Sequence, residues 1–175
     1  MRKNYKQILK DITTFVFDVD GVFTDGNVLI TSEGELLRKM SVKDGYALKT
    51  ALQKGYNVCI ISGGTNEGVS LRLKGLGVTD VYLGASMKEA PLKKYLSKYK
   101  IDPKNVLYMG DDLPDIPAMK LAAIAACPQD AVQEVKEVSD YISHRYSGDE
   151  CVRDVIEQVL KVRGDWYTNF SAAND

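Results

Sequence analysis

The sequence has few cysteines, a single histidine and no long apolar run. Cys59, Cys127 and Cys151 lie far apart and form no C-x-x-C pair, which argues against a disulfide framework and against a thiolate metal site. His144 has no second histidine with which to form a relay or a metal pair. No stretch approaches the ~18 apolar residues of a membrane-spanning helix, and residues 1–10 are basic and polar. We therefore expect a cytoplasmic protein that does not enter a membrane.

The charges nearly cancel. The chain has 23 Lys and Arg residues against 24 Asp and Glu residues, which gives a formal net charge of -1. No strong field therefore favours nucleic acid or an anionic membrane as a partner. With 175 residues, of which 45% are hydrophobic, the chain can bury a core without disulfides. We expect one domain over residues 1–164 and a separate C-terminal tail over residues 165–175.

Short apolar, β-branched runs alternate with longer segments of helical character. Such alternation is typical of an α/β fold in which helices cover both faces of a parallel sheet. We therefore expect a doubly wound, mainly parallel sheet, with Asp44 and Thr65 as the caps of the first two helices. The predicted strands are 13–17, 58–61, 80–83, 106–109 and 123–126, and the predicted helices are 44–54, 65–75, 89–99, 113–122, 131–138 and 151–162.

Residues 27–41 break this alternation. Two β-prone stretches, 27–31 and 36–40, flank a Ser-Glu-Gly sequence and predict a β-hairpin with Gly34 at its turn. A two-stranded element cannot bury both of its faces by itself, so its apolar residues need a second surface. We expect the hairpin to project from the sheet and to form subunit contacts through Val28, Ile30, Leu36, Leu37 and Met40.

The strongest chemical signal is the sequence F-D-V-D-G-V-F-T-D, in which Asp18 and Asp20 directly follow the first predicted strand. Side chains two residues apart in an extended chain point the same way. Ligands of parallel sheets bind at the carboxyl ends of the strands, so both carboxylates are expected to face one ligand. A D-x-D pair alone is also typical of a polar strand exit, and its meaning depends on the neighbouring strand ends.

A second acidic cluster, G-D-D-L-P-D, follows the predicted strand 106–109 and contains Asp111 and Asp112. Two acidic strand ends placed side by side repel each other unless a cation lies between them. Magnesium prefers oxygen ligands and commonly uses one or two carboxylates together with a substrate phosphate. We therefore predict a Mg²⁺ site shared by the two clusters.

Two further strand ends carry groups suited to phosphate. Ser62 and Gly63 offer a hydroxyl and backbone N–H groups ahead of a helix, and Lys88 follows the predicted strand 80–83. A serine before glycine is usually a turn residue and a lone lysine is usually solvated. Along the chain, however, four successive strand ends carry a pair of carboxylates, then a hydroxyl, then an ammonium, then a second pair of carboxylates. This combination is specific for phosphoryl transfer. Receiver domains also group aspartates and a lysine, but this order of motifs fits them poorly.

The order D-x-D-G-V, S-G, K and G-D-D-x-x-D resembles the four motifs of the haloacid dehalogenase phosphatases. The resemblance spans residues 15–153. More closely, a hairpin in place of an inserted cap domain, followed by V-K-D-G-Y at residues 42–46, resembles the capless, tetrameric 3-deoxy-D-manno-octulosonate 8-phosphate phosphatases. This resemblance implies a Rossmann-like sheet without a cap domain, a homotetramer assembled through the hairpins, and a role in lipopolysaccharide sugar synthesis.

The resemblance also implies a role for each motif residue. Asp18 would attack phosphorus and form an aspartyl-phosphate, and Asp20 would act as general acid and then general base. Asp18, Asp111 and the backbone carbonyl of Asp20 would bind Mg²⁺, with Asp112 holding a metal-bound water. Ser62 and Lys88 would bind the transferring phosphoryl group. The residues on the substrate side would be Asp20, Ser41, Val42, Lys43, Asp44, Gly45, Lys49, Gly63, Arg72 and Lys88, some of them reaching the ligand of a neighbouring subunit.

The chain departs from the family at two places. Many members have Arg after the S-G pair, whereas Gly64 stands here, so a guanidinium that could bind the sugar carboxylate is expected to be absent. Asp149 and Glu150 replace part of a glycine-rich stretch and are expected to face solvent or a basic partner. Three functions therefore stay open: hydrolysis of the octulosonate 8-phosphate, hydrolysis of a nine-carbon 2-keto-3-deoxy sugar acid 9-phosphate, and a non-catalytic tetramerisation module of a sugar-nucleotide pathway.

Overall fold

The computed structural model describes residues 4–166. Within these residues eight strands form two sheets, and the five strands that the sequence predicts are all present, with no end shifted by more than one residue. Residues 167–175 of the predicted tail, 165–175, lie outside the described residues. The strands are β1 (Thr14–Phe17), β2 (Leu29–Ile30), β3 (Leu36–Leu37), β4 (Asn57–Ile61), β5 (Asp80–Tyr82), β6 (Val106–Met109), β7 (Ile124–Cys127) and β8 (Tyr141–Ile142).

The main sheet has six strands in the order β5-β4-β1-β6-β7-β8, and every neighbouring pair is parallel. The prediction of a doubly wound, parallel α/β sheet is confirmed. The edge strand β8 was not predicted, because its two residues are too short to give a pattern. The strands β5, β4, β1 and β6, after which the four motifs follow, are adjacent in this order.

Seven α-helices connect and cover these strands. Two of them differ from the predictions by more than one or two residues at an end: helix α1 was not predicted, and the predicted helix 113–122 is a 3-10 turn, Leu113–Asp115, followed by the single-turn helix α5. Here Asp112 and Asp115 close a capping box around the turn, and a proline occupies the second position of each piece. The helices are α1 (Tyr5–Ile8), α2 (Val42–Gln53), α3 (Glu67–Gly75), α4 (Glu89–Tyr99), α5 (Ile116–Met119), α6 (Gln133–Val138) and α7 (Cys151–Arg163), and further 3-10 turns span Leu9–Asp11 and Pro103–Asn105.

The predicted caps of α2 and α3 are wrong. The Ser41 side chain accepts the backbone N–H of Lys43 at the start of α2, and the Asn66 side chain accepts that of Val69 at the start of α3. Asp and Thr both favour cap positions, but a better-placed Ser or Asn lies within three residues of Asp44 and of Thr65. Helix α2 consequently begins two residues earlier than predicted.

The two faces of the sheet bury separate apolar layers. Along β1, Phe15 and Phe17 point into a layer covered by α2, α3 and α7, whereas Val16 points into a layer covered by α4, α5 and α6. Because side chains alternate along a strand, a strand covered on both faces is apolar throughout. All residues of β1, β6 and β7 are buried accordingly.

The hairpin strands β2 and β3 pair antiparallel and form a sheet of their own. Five apolar side chains of the hairpin are exposed by 42–69%, namely Val28, Leu29, Ile30, Leu36 and Leu37. Within residues 4–166 the connection between β1 and α2 holds only this hairpin and no inserted cap domain. None of the helices described is long and apolar enough to cross a bilayer.

Asp44 joins helix α2 to helix α7. Its buried carboxylate accepts the backbone N–H of Arg153 at 2.7 Å, in the first turn of α7, where Glu150 makes no side-chain cap. The second oxygen, Oδ2, has no hydrogen-bond partner among the residues that the structure describes. Burial raises the pKa of the Asp44 carboxyl from 3.8 to about 6, against the opposing hydrogen bond from Arg153. The ionised form of Asp44 is therefore unfavourable in the folded protein.

We expect Asp44 to make the protein less stable as the pH rises from about 4 to about 6. In this window the unfolded chain releases the Asp44 proton and the folded protein keeps it, so rising pH favours unfolding until both states are ionised. The change amounts to about 3 kcal/mol. The free energy of unfolding of Asp44→Asn, relative to that of the wild type, should therefore rise by about 2–3 kcal/mol between pH 4 and pH 7. Urea unfolding of both proteins at a fixed concentration measures it. Parallel pH curves for the two proteins would refute this role.

Candidate active site

The four motifs meet at the carboxyl end of the sheet. Each motif directly follows one of the adjacent strands β5, β4, β1 and β6, so the topology alone brings their side chains together. They surround an open pocket of ≈ 340 Å³. The residues that line it are Asp18, Asp20, Gly26, Ser62, Gly63, Gly64, Ala85, Ser86, Lys88, Asp111, Asp112 and Pro114.

Asp18 lies at the floor of this pocket and is 5% exposed. Its Oδ1 accepts the backbone N–H of Val19 at 2.6 Å, and its Oδ2 lies 2.6 Å from the Lys88 ammonium. Burial, and then the negative charge of Asp115, raise the pKa of Asp18 to about 7, although Lys88 acts in the opposite direction. The two contacts fix the direction in which the carboxylate points.

Lys88 is held between two buried carboxylates. Its ammonium donates to Asp115 at 2.8 Å as well as pairing with Asp18, and its side chain is 5% exposed. Although burial opposes it, the charges of Asp18 and Asp115 raise the pKa of Lys88. Tyr108 also donates to Asp115 at 2.8 Å, from the buried strand β6. The cation is therefore fixed beside Asp18 by residues of strand β6 and of the loop that follows it.

Asp115 was not assigned a role from the sequence. Besides Lys88 and Tyr108, it accepts the backbone N–H groups of Asp111 at 3.3 Å and Asp112 at 3.5 Å. It thus organises the loop that carries the second acidic cluster. The third acid of the G-D-D-x-x-D motif was the available signal, but a sequence does not show that this side chain turns back under the loop.

Asp111 approaches Asp18 across the glycine of the first motif. Gly21 has a φ of +83°, and a Cβ on it would lie 1.9 Å from Asp111 Oδ2, so only glycine leaves room for this carboxylate. Asp111 Oδ1 is buried and has no hydrogen-bond partner within residues 4–166. Burial, and then the charge of Asp18, raise the pKa of Asp111 to about 8. An excess of buried negative charge thus surrounds Asp111.

This set of donors fits a hard divalent cation. One carboxylate oxygen from each of Asp18, Asp111 and Asp115 lies within 4.8 Å of the others. Asp111 Oδ1, which accepts no hydrogen bond from the described residues, is available to bind a cation. Oxygen ligands at this spacing are those that Mg²⁺ prefers. Asp112 lies outside the cluster; its exposed side chain lines the pocket and accepts the backbone N–H of Leu113 at 2.7 Å. Its predicted role, to hold a metal-bound water, stays a prediction.

We expect Mg²⁺ to stabilise the protein through Asp111. At a hundredfold excess over its dissociation constant, a bound ion adds about 2.7 kcal/mol to the free energy of unfolding, or about 5–10 °C in melting temperature for a chain of this size. Asp111→Asn should abolish this shift, whereas Asp112→Asn should keep most of it. Melting curves with MgCl2, and with NaCl at equal ionic strength, measure the difference. A full magnesium shift in Asp111→Asn would place the ion elsewhere.

Ser62 presents a buried hydroxyl at the end of β4. Its backbone is fixed by a hydrogen bond to Tyr82 at 2.9 Å, and its Oγ accepts the N–H of Gly64 at 3.1 Å. The residue is 2% exposed, whereas Gly63 beside it is exposed to the pocket. The hydroxyl hydrogen and the backbone N–H of Gly63 are the groups here that can bind a phosphoryl oxygen.

Asp20 faces the same pocket and is held by an arginine from the hairpin. Arg38 Nε donates to Asp20 Oδ1 at 2.7 Å, and Arg38 Nη2 donates to Asp20 Oδ2 at 3.2 Å. The expectation that Gly64 leaves the site without a guanidinium to bind the sugar carboxylate stays a prediction, since Arg38 is engaged with Asp20. A guanidinium is present, and it reaches the site from residue 38 rather than from residue 64.

The remaining substrate-side predictions lie outside this pocket. Among the described residues that line it, none of Ser41, Val42, Lys43, Asp44, Gly45, Lys49 and Arg72 appears. Asp44 is buried against α7, and Lys43 pairs with Glu150, so Glu150 does face a basic partner as expected. Arg72 Nη2 lies 3.1 Å from where a Cβ on Gly45 would stand, which places these two residues together. Their roles toward substrate stay predictions.

Comparison with known proteins identifies the class to which this fold and site belong. A family model described as haloacid dehalogenase-like hydrolase matches residues 65–156, more than half of the chain. A 3-deoxy-D-manno-octulosonate 8-phosphate phosphatase from Salmonella typhi is 35% identical over 89% of this chain and 82% of its own length. The chain belongs to the haloacid dehalogenase-like hydrolases and, within them, to the family of the 3-deoxy-D-manno-octulosonate 8-phosphate phosphatases.

Solved structures agree with this assignment. The phosphatase of that name from Yersinia pestis has a TM-score of 0.91 at 29% identity and covers 93% of this chain and 88% of its own. The one from Moraxella catarrhalis, solved in complex with a magnesium ion, a phosphate ion and KDO, has a TM-score of 0.89 at 33% identity and covers 92% of both chains.

Proposed function

We propose that this chain is a magnesium-dependent phosphatase that hydrolyses 3-deoxy-D-manno-octulosonate 8-phosphate to 3-deoxy-D-manno-octulosonate and phosphate. The observation that carries the proposal is the convergence of Asp18, Lys88 and Asp111 at the floor of one open pocket. The family relatives that share this fold bear the name of that activity, and the relative from Moraxella catarrhalis was solved with magnesium, phosphate and KDO.

In the first step, a carboxylate oxygen of Asp18 attacks phosphorus. A bond forms between this oxygen and phosphorus, and the bond from phosphorus to the sugar oxygen breaks. Asp20 gives its proton to the departing sugar oxygen, which leaves as the alcohol. Lys88, the Ser62 hydroxyl and the Gly63 N–H bind the phosphoryl oxygens and keep the phosphorus in line with Asp18.

In the second step, a water molecule attacks the phosphorus of the aspartyl-phosphate. Asp20, now ionised, takes a proton from this water, and the bond between phosphorus and the Asp18 oxygen breaks. Phosphate leaves and the Asp18 carboxylate is regenerated. The same two carboxylates thus serve both steps, and Asp20 ends the cycle protonated again.

The magnesium site would be formed by Asp18, Asp111 and the Asp20 carbonyl, with Asp112 holding a bound water. The ion supplies positive charge that offsets the carboxylates and the negative oxygens of the substrate phosphate. Asp115 is already engaged by Lys88, Tyr108 and two backbone N–H groups, so its role is to position Lys88.

Turnover of two sugar acid phosphates tests this function. We expect the eight-carbon 8-phosphate to be hydrolysed with a higher kcat/KM than a nine-carbon 2-keto-3-deoxy sugar acid 9-phosphate, and activity on both to need magnesium. Phosphate release from each acid, with MgCl2 and with EDTA, is the measurement. A preference for the nine-carbon acid would change the substrate and keep the chemistry, whereas equally poor rates on both would reject both acids.

We further propose a cytoplasmic homotetramer assembled through the hairpin. The support is the exposed apolar surface of that hairpin, an element too small to cover it. In such an assembly the substrate-side residues Ser41, Val42, Lys43 and Gly45, together with Lys49 and Arg72, would complete the pocket of a neighbouring chain. Sedimentation should give a mass of four chains, and a monomer would contradict the assembly.

A further inference from the structure

The contact between Arg38 and Asp20 has the geometry of a specific clamp. Both carboxylate oxygens of Asp20 are engaged by two different nitrogens of one guanidinium. The Arg38 side chain is 10% exposed, whereas that of Asp20 is 35% exposed. A planar guanidinium bound at two points fixes both the position and the rotation of a carboxylate, which an ammonium cannot do.

The backbone of the hairpin is tied to the site at the same place. The carbonyl of Leu36 accepts from Arg38 Nη1 at 3.2 Å and from the Asn66 side chain at 2.8 Å. Asn66 is the cap of α3, which begins just after the Ser62 loop. The guanidinium is therefore anchored at its far side, so that Arg38 stands between the hairpin and Asp20 in a fixed orientation.

Gly64 leaves the room for this clamp. A Cβ at residue 64 would lie 3.0 Å from Asp20 Oδ2 and 3.7 Å from Arg38 Nη2. A side chain there would press on the carboxylate, whereas its Cβ would be in ordinary van der Waals contact with the guanidinium. The glycine at residue 64 and the arginine at residue 38 are thus compatible with each other as a pair.

We propose that Arg38 is the positioning residue of the acid–base group: it orients the Asp20 carboxyl toward the leaving oxygen of the substrate. The protonated acid can carry its proton on Oδ2, where the contact is longer at 3.2 Å, and remain held through Oδ1 at 2.7 Å. The inference rests on the proposed function, because it assigns to Asp20 the transfer of a proton to that oxygen. It adds that the hairpin contributes to the chemistry of its own chain. Loss of Arg38 would then slow those reactions whose leaving group needs a proton.

Two classes of substrate separate this role from a general one. An alkoxide leaving group needs a proton from Asp20, whereas p-nitrophenolate leaves without one. We expect Arg38→Gln to lower kcat/KM about 10²-fold on primary alkyl phosphates and less than about threefold on p-nitrophenyl phosphate. Arg38→Lys should recover only part of the loss, because it restores the charge without the two-point contact.

The matched control is Lys39→Gln, which removes one positive charge from the next residue of the hairpin, where the side chain is 81% exposed. It should behave as wild type on both substrates, and melting curves establish that each variant is folded. An equal loss on both substrates, no loss on either, or full recovery in Arg38→Lys would overturn the positioning role.

The alkyl series includes 3-deoxy-D-manno-octulosonate 8-phosphate and other primary sugar phosphates. If the wild type hydrolyses the other primary sugar phosphates but not the octulosonate 8-phosphate, the proposed substrate is rejected. The effect of Arg38→Gln can still be measured on the other sugar phosphates.

Discussion

Asp18→Asn lowers kcat about 10⁴-fold or more on every phosphate monoester if Asp18 is the nucleophile, because an amide cannot form the acyl phosphate. The substitution is nearly isosteric, and the amide oxygen can still accept the N–H of Val19. It removes one of two negative charges beside Lys88, so the fold should persist with a small change in melting temperature. Phosphate release measures activity, and rapid acid quench followed by mass spectrometry detects the phosphorylated Asp18 of the wild type.

Asp25→Asn is the matched control, since Asp25 lies on the same loop and, within residues 4–166, its carboxylate accepts the local backbone N–H of Asn27 and pairs with Lys39 at 3.7 Å. Its activity should stay close to wild type. Unchanged activity in Asp18→Asn would eliminate the covalent mechanism. If both the wild type and Asp18→Asn are inactive, the result favours the non-catalytic tetramerisation module. The joint presence of Asp18, Lys88 and Asp111 argues against that module, because an assembly role does not require them.

The sequence predicted those parts of the structure that depend on local pattern. Continuous apolar runs predicted the buried strands, and the parallel arrangement then placed every motif at one edge of the sheet. The sequence alone therefore predicts Asp18, Ser62, Lys88 and Asp111 in one pocket, where the structure has them. This inference needs only the strand ends, because neighbouring parallel strands end on the same side.

Contacts between distant residues could not be predicted in the same way. Arg38 reaches Asp20 across 18 positions, and Asp44 reaches the N–H of Arg153 across 109. On the sequence, Arg38 is one charge in a hairpin with the basic residue Lys39 beside it, and Asp44 is a plausible cap. Their partners depend on how the hairpin folds back and how α7 packs on α2, which are properties of the tertiary structure.

Lys88→Met should cost both stability and activity. Removal of the ammonium leaves Asp18 and Asp115 buried beside each other without a cation, and breaking a buried ion pair in this way costs about 3–5 kcal/mol. The neighbouring acids raise the pKa of Lys88 above its usual 10.5, so its stabilising charge is present throughout the neutral range and is lost only at more alkaline pH. We expect a fall of about 10 °C in melting temperature at pH 7.

The activity of Lys88→Met should fall about 10²- to 10³-fold in kcat, because the cation that faces the phosphoryl oxygens is lost. Lys93→Met is the control: this lysine lies on helix α4, which begins directly after Lys88, pairs with Glu89 one turn away, and has a side chain that is 62% exposed. Magnesium should recover part of the lost stability, since it brings positive charge to the same carboxylates, yet little of the lost activity, since it cannot occupy the position of the ammonium. Full recovery of kcat at high magnesium would mean that Lys88 supports the fold and does not bind the transferring group.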